Sequence, residues 1–230
     1  MGTPGSPVRF RVRNLTKYYI QKKQPVAILR DLSIDLFDGK INGLIGESGS
    51  GKSTLARILM GLEPYEEGSV RYRGEDLSRV PRRSFLRENQ IMFQNPYLAV
   101  NPYLKIHRIL KEPLVIRKRS KSQIDERIRR YLDLLQVPSE VLNRYPDELS
   151  GGQLQRIALA RTLTLEPEFV ILDEPFSAVD EIMAMTLVRQ FREIFLDLGI
   201  GALYISHDRA RVRYFCHHIS RIEKGRVVPS

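Results

Sequence analysis

Nine consecutive residues, Gly46-Glu47-Ser48-Gly49-Ser50-Gly51-Lys52-Ser53-Thr54, restrict this chain more than any other stretch. They follow an apolar, strand-like run, Ile41 to Ile45, and open a helix-like run, Leu55 to Met60. The spacing is that of a phosphate-binding loop: a glycine, four residues, then Gly-Lys-Ser. Glycines let the backbone turn so that successive N–H groups point inward at an anion, and the following helix presents its positive N-terminal end. Lys52 would reach the β- and γ-phosphates as a point charge, and the Ser53 hydroxyl would ligate Mg²⁺. A Gly/Ser-rich turn with one solvated lysine could share the composition, but not the strand before and the helix after. The chain is therefore expected to be an α/β protein that binds a nucleoside triphosphate.

Composition narrows the setting. With 230 residues, 42% hydrophobic and 28% charged, the chain is long enough for a full α/β core and is ordinary for a folded protein. No apolar run approaches the length needed to cross a bilayer, so a membrane role is expected to go through a partner. The segment Met1-Gly2-Thr3-Pro4-Gly5-Ser6 lacks the apolar core of a secretory signal. It formally fits a myristoylation pattern, but such short patterns recur by chance, and residues 1–7 are expected to be a flexible lead-in. Cys216, the one cysteine, cannot form an internal disulfide, which fits a reducing cytoplasm. The net charge of +10 calls for an opposite partner, whether nucleic acid, anionic lipid or nucleotide. Much of that excess is arginine scattered through the chain.

From the N-terminus, Val8, Phe10 and Val12 alternate with Arg9, Arg11 and Arg13, the pattern of a half-buried strand with its arginines in solvent. Lys17, Tyr18 and Tyr19 follow; an aromatic here serves equally well to stack on a base or to pack. Leu32 to Phe37 reads as a second strand, with Asp38-Gly39 as the turn into the strand before the phosphate loop. A short strand, Ser69 to Arg73, a short helix, Pro81 to Arg87, and a strand, Gln90 to Phe93, come next, the last ending in Gln94-Asn95-Pro96. From Val100 to Gln136 helical periodicity takes over, through Ile124, Ile128, Tyr131, Leu132 and Leu135. The basic run Arg117-Lys118-Arg119-Ser120-Lys121 reads as a solvated turn between helices, since no aromatics interleave with it.

A second phosphate-binding helix start appears at Leu149-Ser150-Gly151-Gly152-Gln153. Ser150 suits an N-cap, the glycines let backbone amides approach an anion, and a helix follows from Leu154 to Thr164. Two such starts for one phosphate site are resolved if they face each other across a dimer. Phe169 to Leu172 is a buried strand that delivers Asp173 and Glu174 to a sheet edge. Asp173 can hold Mg²⁺ through water, and Glu174 can polarise an attacking water. After the Ser177–Asp180 turn, a helix to about Leu198 precedes the strand Gly201 to Ile205 and Ser206-His207-Asp208. His207 is assigned a γ-phosphate contact. His217 and His218 receive no role, and Ile219 to Val228 reads as a terminal hairpin.

Together these motifs resemble the nucleotide-binding subunit of an ATP-binding cassette (ABC) transporter, from about Val8 to Val228. The ordered set carries it: the phosphate loop at Gly46, Gln94, the signature Leu149 to Gln153, Asp173-Glu174, Ser177-Ala178-Val179-Asp180 and His207. The resemblance implies a P-loop core of mixed, mainly parallel sheet with flanking helices. It adds an antiparallel β subdomain and a helical subdomain near residues 97–164, all within one cassette spanning 8–230. It makes Tyr19 the adenine-stacking aromatic and Gln94 the residue that senses Mg²⁺ and water and reports to the membrane subunit. Ser150, Gly151, Gly152 and Gln153 would complete the ATP site of an opposite cassette, and Asp180 would communicate across the dimer. Lys52, Gln94, Glu174 and His207 become the catalytic set, with Ser53, Gln94 and Asp173 around Mg²⁺.

The implied partners are transmembrane permease subunits, a second cassette of the same or a related chain, and a substrate-binding protein. The implied place is peripheral, on the cytoplasmic face of the inner membrane. Gln94-Asn95-Pro96-Tyr97 with Asn101-Pro102, and Tyr145 to Ser150, are similar to the branch serving peptide and nickel importers. Phe176 stands where that branch usually has Thr, and Val179 where it has Leu. The longer C-terminal extension typical of the branch is also missing. The rival expectation, a soluble cassette ATPase acting on nucleic acid, rests on the +10 charge and the Arg117–Lys121 run. Such proteins usually carry tandem cassettes or long insertions, so nucleic acid is not the expected partner.

Overall fold

The computed structural model describes residues 7–229. The myristoylation-like segment 1–6, most of the expected lead-in, lies outside the described residues; the Pro7 carbonyl already accepts a hydrogen bond from Asp38 N at 2.8 Å. Two long antiparallel strands open the fold, β1 (Val8–Gln21) and β2 (Gln24–Phe37). They are joined through Lys22 and Lys23, at φ 47 and 66. Two successive left-handed residues match the right-handed twist of the flanking strands, as a tight hairpin requires. After β3 (Ile41–Ile45) and α1 (Lys52–Leu59), β4 (Glu67–Tyr72) and β5 (Glu75–Asp76) complete an antiparallel sheet of order β2-β1-β4-β5.

The expected alternation on β1 fails at one residue. The register shifts between Val8, opposite Phe37, and Phe10, opposite Leu36, so Arg9 is bulged and turns inward instead of facing solvent. Its side chain is fully buried, and its guanidinium meets Asp38 at 2.5 Å, Glu168 at 3.4 Å, Asn89 Oδ1 at 3.0 Å and the Tyr72 hydroxyl at 3.2 Å. It also lies over the rings of Tyr72 and Phe169. Arg73 joins the same cluster through Asp38, Glu88 and Glu168. A guanidinium suits such a place because its fork of donors can satisfy several acceptors at once.

The chain continues through α2 (Arg82–Glu88), β6 (Asn89–Met92), α3 (Pro96–Ala99), α4 (Ile106–Ile116), α5 (Lys121–Leu134) and α6 (Gly151–Leu163). Then come β7 (Phe169–Asp173), α7 (Glu181–Asp197), β8 (Gly201–Ser206), α8 (Arg209–Phe215) and the hairpin β9 (His218–Glu223) and β10 (Arg226–Val228). The second sheet has the order β10-β9-β3-β8-β7-β6, with β3 parallel to β8 and β9, and β7 parallel to β8. Every residue of β3, β7 and β8 is buried, as expected of parallel strands covered on both faces.

The chain divides into two compact units. The first runs to Gln90 and takes in Glu168–Glu174 and everything from Gly199; the second comprises Ile91–Pro167 and Pro175–Leu198. In the second, α4 buries Ile106, Ile109, Leu110 and Leu114, and α5 buries Ile124, Ile128, Tyr131 and Leu132, each at helical spacing. The basic run Arg117–Lys121 forms the turn between these helices, where Ser120 caps α5 with Gln123.

Candidate active site

Strand register assembles the chemistry of the first unit. Ile45 pairs with Ser206, and Asp173 pairs with Ile205, so β3, β7 and β8 end on one sheet edge. The phosphate loop, Glu174 and His207 therefore leave from the same side, the edge where open α/β sheets bind ligands. Two glycines are needed there for definite reasons. A Cβ on Gly46 would sit 2.5 Å from the Ile222 carbonyl oxygen, and Gly51 caps α1 at φ 104.

Lys52 is the first residue of α1 and is almost fully buried. Its ammonium donates to the carbonyls of Gly46 (2.9 Å) and Glu47 (2.8 Å) and lies 3.5 Å from Glu174 Oε1. With three donors on the nitrogen, two fix its position and one is left for an anion. Ser53 Oγ donates to Asp173 Oδ1 at 3.0 Å. Burial pushes the Asp173 carboxyl above the usual carboxylate range; Ser53 counters this and Glu174 adds to it. A buried carboxylate beside a hydroxyl is a hard-oxygen pair that fits Mg²⁺, which takes few protein ligands and fills its sphere with phosphate and water.

Glu174 has φ 45, a left-handed conformation that costs on the order of 1 kcal/mol outside glycine. Its N–H donates to the Ile205 carbonyl (3.0 Å), which ties the end of β7 to β8. Its Oε2 lies 3.1 Å from His207 Nδ1. An ionised carboxylate only accepts, so that contact uses the Nδ1 proton and leaves Nε2 for another group. The imidazole itself is largely exposed, whereas the Glu174 side chain is mostly covered. Tyr19, on β1, is half-buried, with its hydroxyl 3.4 Å from Thr54 Oγ1 and the Lys17 ammonium over its ring. Ser50 is buried with its Oγ unpartnered, while Glu47, Ser48 and Gly49 form the exposed or half-exposed outer part of the loop.

The second unit holds the other expected residues. Ser150 caps α6: its Oγ accepts from Gln153 N (3.3 Å), and Gln153 Oε1 accepts from Ser150 N (3.1 Å). Gln153 is thus engaged in shaping the helix start. A Cβ on Gly152 would meet Met183 Sδ at 3.0 Å, and one on Gly151 would meet Val179 Cγ1 at 3.2 Å. Asp180 caps α7, accepting from Met183 N at 2.9 Å. Phe176 is buried edge-on against Phe191, with ring centres 5.1 Å apart. Gln94 is exposed, and Asn95 beside it caps α3 through Tyr97 N.

Sequence reasoning missed the contacts of Val179 and Met183 with the signature glycines. A Gly-Gly pair signals close approach but does not name the neighbour. The backbone strain at Glu174 had no signal in the residue types at all.

Comparison with known proteins gives the family. Residues 29–177 match the family described as ABC transporter. A Brucella ovis protein provisionally named as a peptide import ATP-binding protein is 38% identical over 221 residues, which are 94% of this chain and 70% of that protein. The nickel import ATP-binding protein NikE of Shigella boydii is 38% identical over 211 residues, covering 90% of this chain and 79% of its own. Among solved structures, a dimeric post-hydrolysis state of the ATP-binding cassette MJ0796 bound to ADP and Pi superposes with TM-score 0.84 at 25% identity. That match covers 96% of this chain and 97% of the other. With relatives of this identity aligned along most of both chains, the protein belongs to the ABC transporter family and is one of its ATP-binding, ATP-hydrolysing subunits.

Proposed function

We propose that this subunit powers the import of a small solute, of the peptide or nickel kind, through separate transmembrane subunits. It would work from the cytoplasmic face of the membrane, with a substrate-binding protein delivering the cargo. The names of the relatives support the cargo class and the direction. No helix among the described residues is long and apolar enough to cross a membrane, and the crossing would fall to the partners. The observation that carries the chemistry is Glu174, held at 3.1 Å from His207 and 3.5 Å from Lys52 at the strand ends.

In the proposed cycle two cassettes close head-to-tail on two ATP molecules. Each γ-phosphate lies between Lys52 of one chain and the Ser150–Gly152 helix start of the other. Lys52, the loop N–H groups and the N-terminal end of α6 meet the phosphate charge, so catalysis is mainly electrostatic positioning. Mg²⁺, when bound, would be held by Ser53 and Asp173, with Gln94 as the further residue assigned to it, and would offset negative charge on the phosphates. Tyr19 would stack on adenine. Glu174 accepts a proton from a water whose oxygen attacks the γ-phosphorus as the bond to the β-phosphate oxygen breaks, and His207 steadies both Glu174 and the phosphate. Asp180 would relay closure across the dimer, and the helical unit near Gln94 would pass it to the permease. Glu174→Gln tests this reading: hydrolysis should fall by at least about a hundredfold with ATP binding retained. Turnover near the parental rate would remove Glu174 from its role.

A further inference from the structure

Arg156 lacks the counter-charge that several buried or half-buried arginines of this chain have. Arg9 meets Asp38 and Glu168, Arg127 meets Glu166, and Arg161 meets Glu112. Arg156, on α6, is half-buried, and among the described residues no carboxylate lies within ion-pair distance of it. Its hydrogen bond among the described residues is a neutral one, Nε donating to Gln190 Oε1 at 3.0 Å. Burial alone pulls this guanidinium below its ordinary range, with no acid to restore it. Removing a cation from water without a counter-charge is costly, so such a group ordinarily has an anion to meet.

The surroundings are built to match. A cleft of about 220 Å³ in the second unit is lined by Gln136, Arg156, Thr186, Arg189, Gln190 and Glu193. The bond from Arg156 fixes the Gln190 carboxamide by its oxygen, and Gln190 Nε2 is then buried with no acceptor. Arg189 adds a second, exposed guanidinium one residue before Gln190. Glu193 is the one acid on the lining; it is exposed and forms no ion pair with either arginine among the described residues. The donors thus exceed the acceptors at this wall.

We propose that this cleft is a binding site for a small oxyanion, a phosphate or carboxylate group, held by Arg156 and Arg189, with Gln190 fixing the Arg156 fork. The site is separate from the phosphate loop, which lies in the other unit. Two charged forks match the several lone pairs that such an anion offers.

The test is inorganic phosphate, and in parallel citrate, titrated into protein saturated with a non-hydrolysable ATP analogue so that the phosphate loop is filled. Binding is read from the Arg Nε–Hε resonances and from Tm. The wild type should bind one of the two anions, with the Arg156 resonance shifting. Arg156→Gln should weaken that binding about tenfold or more, since a charge-assisted bond is lost. Arg189→Gln, an exposed change that leaves folding intact, should weaken it by a smaller factor. Nucleotide affinity should stay unchanged in both variants. Preference for phosphate or for citrate identifies the class of guest. Absence of any Arg156 shift, or equal binding by wild type and both variants, would overturn the proposal.

Discussion

Asp38→Asn is the sharpest probe of how the first unit is held together. Arg9 has no solvent access, and Asp38, 23% exposed, is its nearest counter-charge at 2.5 Å. Removing one member of a buried ion pair costs about 3–5 kcal/mol, because the remaining charge is left desolvated. Here Glu168 stays at 3.4 Å, half-exposed and already shared with Arg73, and asparagine keeps an acceptor. The discounted cost is about 2–3 kcal/mol. For a chain of this size that lowers Tm by about 4–12 °C. Thermal and urea unfolding followed by circular dichroism would measure it, with Arg11→Ala as the reference. Arg11 is half-exposed with one long contact to Asp35, and its loss should stay within about 0.5 kcal/mol. A change for Asp38→Asn no larger than for Arg11→Ala would refute the claim that Arg9 depends on Asp38.

Three further outcomes follow from the same geometry. Burial pushes the Asp38 carboxyl up, but Arg9 and Arg73 pull it down further, to below its usual 3.8. A lowered folded-state pKa means the contribution is complete above the unfolded value and fades as pH falls through the folded one. The acid limb of the wild-type stability curve, below about pH 4, should therefore flatten in Asp38→Asn. Lys52→Ala should lose nucleotide affinity and hydrolysis together; parental turnover would contradict the role of the buried ammonium. Gly46→Ala should weaken ATP binding more than Gly49→Ala does, because its Cβ meets the Ile222 carbonyl at 2.5 Å, while that of Gly49 meets nothing within 4 Å and carries only the strain of its φ of 76. Equal titration curves for the two variants would refute the crowding argument.

The parts legible in the sequence were those set by local rules. The loop at Gly46, the cap at Ser150 and the carboxylates after Leu172 follow from residue types at fixed spacings, and the structure has them on a loop, a helix start and a strand end. The β1–β2 hairpin was only partly legible. Lys22 and Lys23 carry no turn signal, so both strands read shorter than they are. Arg9 was misread because alternation assumes unbroken register, and a bulge is set by long-range pairing with β2. The grouping of α7 with the helical unit is likewise invisible to periodicity, since it depends on which face of Phe191 and Leu187 finds a neighbour. The αL backbone at Glu174 goes with a hydrogen bond from its N–H to the β8 carbonyl of Ile205, a partner the residue types do not announce.

The central claim is that ATP is clamped between two cassettes, each supplying one half of the site. The direct measurement is the molar mass of Glu174→Gln with Mg²⁺ and ATP, by light scattering, alone and with any cassette that co-purifies. The account predicts a stable pair of cassettes holding two ATP molecules, which falls apart when Ser150→Arg blocks the second jaw. A particle that stays a monomer with ATP bound, alone and with its partner cassette, would contradict it.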